Sequence, residues 1–433
     1  MRKLRRFFNV RMTDRLFRHA FDEFDPIEDS LDFFFLGHLR KADSSRYLFR
    51  SSSYRKGNSE EIFNKDLFDP VADEEEDDSI AKEEVWLNEE EFLQKYRMSR
   101  TSFKVLLDKI KGHQVFHPPN AKREQVPVAH QLMTWLKYVG TEGSGASSSN
   151  QRNTFRISKG AADLYRRRVT LAIRSLSKDY IYWPSPEERK VIAKEIFQCY
   201  DFPHCVAIAD GTLFPLAFEP ETEDAPDYSG RKFGYSISAM IFCDHKRRIR
   251  HYLAGYPGSA HDSRVFGATK IATNPEAHFQ PREYCLGDSA FENSWFMVSA
   301  FKKPKGIIIP AAHEKFNTKM ARLRIVSEHC IGMLKRRFPW LRSIRLKITE
   351  DRASMIRILD LLEATVIVHN LLIELGEEEK EEWLDLREFS DLDEAERAPY
   401  EDGDVLNQGF PNGAPKDLRR TRLMHYFEEH HYF

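Results

Sequence analysis

The 433-residue sequence has no apolar run near the roughly 18 to 20 residues that cross a bilayer, so neither a membrane-spanning helix nor a membrane partner is expected. Cysteine is scarce. Cys199, Cys205, Cys243, Cys285 and Cys330 are odd in number and never form a Cys-x-x-Cys pair, which excludes a zinc module and a disulfide framework and points to a reducing compartment. The start, Met1-Arg2-Lys3-Leu4-Arg5-Arg6-Phe7-Phe8, lacks the apolar core and cleavage site of a secretory signal. It reads instead as a candidate nuclear address, and the nucleus is the expected compartment. Net charge is also small, at −2, but the sum conceals segregation. Basic residues crowd 1–18, 152–174 and 319–347, while acidic ones crowd 72–91 and 374–404. A local basic face can hold a polyanion even when acidic segments keep the whole molecule near neutral.

What is present suits a packed core, since 41% of residues are hydrophobic. Residues 1–85 mix Arg, Ser, Asp and Phe without sustained period and read as a weakly ordered arm, with Phe7-Phe8 and Phe33-Phe34-Phe35 as candidate docking helices. From 86 to 200 the pattern is helical. Phe92, Tyr96, Phe103, Leu106 and Ile110 recur at three- and four-residue spacing, with Ser99 or Ser102 as a cap, and Val128 to Val139 forms a further helix. The Gly- and Ser-rich stretch 140–150 reads as a flexible loop. Beyond it, Phe155 to Ile173 has the form of a helix-turn-helix with Arg166, Arg167 and Arg168 on the outer side, either a DNA contact or a plain packing unit. Ser185-Pro186-Glu187-Glu188 opens another helix reaching about Tyr200.

The region 201–375 is organised around Cys205-Val206-Ala207-Ile208-Ala209-Asp210-Gly211-Thr212, a short apolar strand running up to one carboxylate. Asp210 there is either a site residue or the start of an Asx turn that closes the strand. A second strand through Arg231 to Cys243 turns at Asp244-His245-Lys246-Arg247 into a third, Ile249 to Ala254. Tyr284-Cys285-Leu286-Gly287-Asp288 repeats the apolar strand with a terminal acid. A helix is expected at Trp295 to Phe301, a fifth strand at Gly306 to Pro310, and a basic helix at Thr318 to Phe338 whose one acid is Glu328. Arg324, Glu328, Gly332 and Lys335 share a face of that helix, and Gly332 leaves room for another backbone. Glu328 is either a site acid or an ion-pair partner of Arg324 or Lys335. Met355 to Leu375 reads as an apolar helix in which His369 is a satisfied histidine rather than a metal ligand. Residues 376–433 read as an acidic and then basic tail, ending in Arg419-Arg420-Thr421-Arg422.

This element order is that of an α/β ribonuclease H-like domain: a mixed five-stranded sheet with flanking helices, preceded here by a small all-helical, helix-turn-helix-like domain. In that topology the strands carrying Asp210 and Asp288 lie side by side and the late helix brings Glu328 over them. Three converging carboxylates repel unless cations share them, and an oxygen-only set suits Mg²⁺ or Mn²⁺ rather than zinc. Two such ions about 3.5 to 4 Å apart polarise a phosphodiester and stabilise the leaving oxygen. The arginines and lysines about Glu328, namely Arg324, Lys335, Arg336 and Arg337, read as phosphate contacts.

Four motifs stand in order: Ala209-Asp210-Gly211-Thr212, Gly258-Ser259-Ala260-His261-Asp262-Ser263, Leu286-Gly287-Asp288-Ser289-Ala290-Phe291, and Phe316-Asn317 with Arg324 through Phe338. Together they resemble the DDE endonuclease domain of PIF/Harbinger-type transposases and the host genes derived from them, over about 200 to 375. The resemblance implies Asp210, Asp288 and Glu328 as catalytic acids, DNA as substrate, and a separate Myb-like partner; a homo-oligomer is also expected. His261 and Asp262 match a further motif, either supporting the site or capping the next helix. Three functions follow: an active metal-dependent nuclease or transposase, a domesticated DNA- or chromatin-binding scaffold without catalysis, or a structure-specific nuclease unrelated to mobile elements.

Overall fold

The computed structural model describes residues 87–118, 125–230, 234–303, 305–377, 415–430 and 432, all within one folded unit, Phe63–Phe433. The expectations for the arm 1–85, for the basic start and for most of the acidic segment 374–404 fall outside these residues.

Helices come first because polar residues stop and start them at the right places. Asn88 opens α1 (Glu89–Tyr96) with a reciprocal cap, accepting from the Glu91 N–H while the Glu91 carboxylate accepts from its own N–H. Ser99, not Ser102, caps α2 (Arg100–Ile110). The helix α3 (Val128–Val139) buries Leu132, Trp135 and Leu136 on one side. The stretch expected as a flexible loop instead holds a 3₁₀ turn, Gly143–Ala146, and then α4 (Ser148–Phe155), because the Ser147 side chain accepts from the Asn150 N–H and starts a helix. Arg156 turns the chain at φ 53°, and Ser158 caps α5 (Lys159–Arg174). Ser185 caps α6 (Pro186–Tyr200), with Pro186 in the first turn. Trp135 on α3 donates to Thr170 Oγ1 on α5 at 3.0 Å and ties the helical layer together.

The chain then enters a five-stranded sheet made of β1 (Cys205–Pro215), β2 (Ser236–Cys243), β3 (Ile249–Pro257), β4 (Tyr284–Gly287) and β5 (Met297–Ser299). Its order is β3-β2-β1-β4-β5. β1 pairs antiparallel with β2, placing Asp210 opposite Ile241, and parallel with β4, placing Ile208 opposite Leu286. The β2–β3 turn is held by Asp244, whose Oδ1 accepts from the N–H groups of Lys246 and Arg248. After β3, α7 (Asp262–Gly267) crosses back toward the sheet. Two long helices close the fold, α8 (Ala311–Arg337) and α9 (Arg352–Glu374). This is the ribonuclease H-like architecture, with the sheet at the centre and helices about it.

Three further expectations are corrected. The Trp295 to Phe301 segment is not a helix, since Met297–Ser299 pairs with β4 as the fifth strand. The run Gly306 to Pro310 is not a strand; with that slot beside β4 taken, Ile307 and Ile308 are 58% and 94% exposed. The basic end of the chain is not a loose tail, because α10 (Leu418–Glu429) is docked on the core. Arg419 is buried, donates to the carbonyls of Pro281 and Arg282, and lies over the Tyr284 ring. Phe427 packs against Phe202 and Phe316 at centroid distances of 5.1 and 5.9 Å.

The apolar α9 joins the helical layer to the sheet. Asn370 on it accepts from the Ile249 N–H and donates to the carbonyls of Ile249 and Tyr180, while Arg174 on α5 pairs with Asp360 and Glu363. Among the described residues no helix is long and apolar enough to cross a membrane.

Candidate active site

Asp210 sits where β1 loses its parallel neighbour: pairing with β4 ends at Ile208, while pairing with β2 runs on to Pro215. The Asx-turn reading is therefore overturned, since the strand does not close at Asp210. Its Oδ1 accepts the Gly211 N–H at 2.9 Å. The second acid, Asp288, follows β4 directly and its Oδ1 accepts the Ser289 N–H at 2.6 Å. Both carboxylates thus face the same end of adjacent parallel strands.

α8 brings the third. Glu328 is well exposed, and the Arg324 guanidinium one turn before it reaches toward two acids at once, with Nη1 3.4 Å from Asp288 Oδ1 and Nη2 4.0 Å from Glu328 Oε1. Burial pushes the Asp210 carboxyl up to about 6. Arg324 and the Gly211 N–H oppose that rise, and the negative charges of Glu328 and Asp288 add to it. The three acids of the sequence reading therefore form one electrostatic group, and one guanidinium does not neutralise it.

Asp262, the first residue of α7, presses on the strand at Gly211. A Cβ on Gly211 would lie only 2.4 Å from Asp262 Oδ1, so glycine is needed at 211 for this approach. Burial raises the Asp262 pKa, and the charge of Asp288 raises it further. His261 stands at the helix start without a side-chain capping bond, so capping is not what its imidazole does.

The basic residues divide. Lys335 does not point to solvent: its Nζ donates to Thr212 Oγ1 at 2.6 Å and to the Leu213 carbonyl at 2.8 Å, fastening α8 to β1 beside Asp210. Burial lowers it to about 8, and Arg342 adds to the fall. Arg337 is buried, donating to the Glu377 carbonyl with its Nη1 3.3 Å from His369 Nδ1, so it is not an exposed phosphate contact. Arg336 is half-buried. On α5 the expected outer row is also revised. Arg168 is buried and donates to Gln125 Oε1, because it falls on the face of α5 that also buries Tyr165 and Val169. Arg166 bonds Asp163 and lies over the Tyr138 ring, and Arg167 is half-buried. Gly332 admits no approaching backbone; a Cβ there would meet open space.

The donor set fits a hard divalent cation. It is all carboxylate oxygen, gathered about the single Arg324 guanidinium. As the side chains stand, no group of three or more His, Cys, Asp or Glu among the described residues closes a metal cage. Sequence reasoning missed Arg342, brought beside Lys335 by the Pro339–Arg342 turn, and the Thr212 hydroxyl. No spacing marks Arg342, whereas Thr212 was within reach as part of Asp-Gly-Thr.

Residues 209–370 match the family model of the DDE superfamily endonuclease. The matched stretch contains Asp210, Asp262, Asp288 and Glu328 and spans most of the sheet with α8 and most of α9. No curated protein and no solved structure gives a significant match to the chain.

Proposed function

We propose that this chain is a metal-dependent DNA endonuclease of the PIF/Harbinger transposase type. The observation that carries the reading is the electrostatic grouping of Asp210 with Asp288 and Glu328 about Arg324, inside the stretch that matches the DDE endonuclease model. Asp210, Asp288 and Glu328 would hold Mg²⁺ or Mn²⁺, two ions in the full site. Bound there, the ions supply Lewis-acid polarisation of a phosphodiester and a hydroxide or 3′-oxygen nucleophile near neutral pH.

The chain's own part is positioning. β1 and β4 fix Asp210 and Asp288 on a rigid sheet, with each carboxylate held by the next backbone N–H. Lys335 locks α8 to β1 and so sets where Glu328 stands. Arg324 offers a guanidinium for a phosphate oxygen, and its buried Nε has no hydrogen-bond partner among the described residues. Asp262 braces the strand beside Asp210, with His261 next to it. DNA is the substrate, the nucleus the compartment, and a second copy of the chain and a Myb-like accessory protein the partners.

The test is nicking of supercoiled DNA with Mn²⁺ by the parent and by Glu328→Gln. Loss of cleavage of about 10³-fold or more with DNA binding retained is expected if Glu328 acts in the chemical step. Equal cleavage by both proteins, or a natively folded parent that cleaves no DNA carrying terminal inverted repeats, would sink the reading.

A further inference from the structure

Away from the acids, α5, α9 and the segment joining α8 to α9 line a half-open cavity of about 270 Å³. α5 lines it with Asp163, Arg166, Arg167 and Thr170, which share one face at three- and four-residue spacing. α9 answers with Ser354, Arg357 and Asp360, and Lys347 and Thr349 complete the wall. Four cationic side chains therefore meet two carboxylates in the wall, and one of the four, Lys347, is paired with Glu221 just outside it.

Both carboxylates are already engaged. Asp163 accepts from Arg166, and Asp360 Oδ1 lies 2.8 Å from Arg174 Nη1. Burial also pushes Asp360 up to about 7, so at neutral pH it carries only part of its charge. Arg166 is lowered by burial and further by the charge of Arg167, the mark of two guanidinia crowded together. The Tyr138 ring, 4.2 Å from the Arg166 guanidinium, fixes its plane. Arg357 is exposed and has no carboxylate partner among the described residues. Guanidinium forks converging on one space match the oxygens of a phosphate, which accepts two parallel bonds from each.

The wall is tied to β1. The chain leaving Asp210 along β1 pairs through Leu216 and Glu221 with Ile344 and Thr349, at the edge of this cavity. Its volume lies just below the roughly 300 Å³ at which clefts for drug-sized ligands begin, which suits one phosphorylated unit rather than a buried length of polymer.

We infer that this cavity is a phosphate-ester site for one nucleotide-sized unit, held by Arg166, Arg167 and Arg357. The shared chemistry is a nucleotide phosphate, offered either by the phosphorylated end of a DNA strand or by a free nucleotide. The inference does not depend on the endonuclease reading.

Calorimetric titration of the full chain in EDTA tests it, with four probes: a 5′-phosphorylated oligonucleotide, the same oligonucleotide without the phosphate, a nucleoside monophosphate, and inorganic phosphate. Phosphate-dependent binding is expected, weakened about tenfold by Arg357→Ala and further by Arg357→Glu, in line with loss of a charge-assisted hydrogen bond. Tighter binding of the phosphorylated oligonucleotide than of the monophosphate assigns the site to strand ends, and the reverse order assigns it to free nucleotides. Arg357 is exposed, and an unchanged melting temperature in its variants shows that the fold is intact; Lys347→Ala, at another part of the wall, gives a second reading. Two results would overturn the inference: no phosphate-dependent binding by any probe, or binding indifferent to both Arg357 variants.

Discussion

Gly211→Ala probes the tightest contact of the site. The added methyl would stand 2.4 Å from Asp262 Oδ1, 2.5 Å from its Cγ and 2.8 Å from its Oδ2. The strand cannot retreat, because Gly211 is in register with Met240 inside the β1–β2 ladder, which runs from Ile208 to Pro215. Asp262 must move instead, and it leads α7, whose Val265 and Phe266 are buried. Overpacking of this kind costs about 1–3 kcal/mol. Asp262→Ala removes every atom that the methyl would strike among the three nearest, so in that background Gly211→Ala should cost less than about 1 kcal/mol. The assay is urea unfolding of the four proteins of the cycle, with unchanged m-values as the sign that only stability has moved. Costs that add within about 0.5 kcal/mol would refute the claim that Asp262 presses on the strand beside Asp210.

Other expectations follow from the same packing. His369 is buried between Arg337 at Nδ1 and the Arg247 carbonyl at Nε2, and burial, with Arg337 adding to it, lowers its pKa to about 3. A folded-state value below the ordinary one near 6.5 means a contribution that is full above pH 6.5 and is lost as pH falls toward 3. Between pH 7.5 and 5.5 the parent should therefore lose about 1.4 kcal/mol more stability than His369→Gln, measured by denaturant unfolding, and parallel pH curves would refute this. Phe427→Ala, which empties a fully buried place against Phe202 and Phe316, should cost about 3–5 kcal/mol and lower the melting temperature of the whole core. A cost near zero would mean that α10 is not docked in solution.

The sheet was legible because its signals are local. Val206 to Ala209 and Ile237 to Cys243 are apolar runs, the first continuing through Asp210-Gly211 to Pro215 and the second ending at the Asp244-His245 turn, and they became β1 and β2. Ser99 and Ser185 each announced a helix by the side chain that caps it, whereas the cap at Ser158 was read only as part of a turn. β5 was missed because three residues carry no period, whereas the exposed Ile307-Ile308 carried a false one. The docked α10 was hidden by its charge: Arg419 reads as surface until Tyr284 and two carbonyls are placed around it. The same holds for Arg168 and Arg337, whose partners lie far along the chain. Asp210, Asp288 and Glu328 were singled out through motif order. What spacing alone could not supply was Arg324 standing between the latter two and Lys335 turned inward to Thr212.

The most direct measurement is a calorimetric titration of Mn²⁺ into the parent and into Asp210→Asn, Asp288→Asn and Glu328→Gln. If the three carboxylates serve one cation site, the parent binds Mn²⁺ and each neutralised variant binds at least about tenfold more weakly. A variant that takes up Mn²⁺ like the parent would remove its residue from the site and contradict the account.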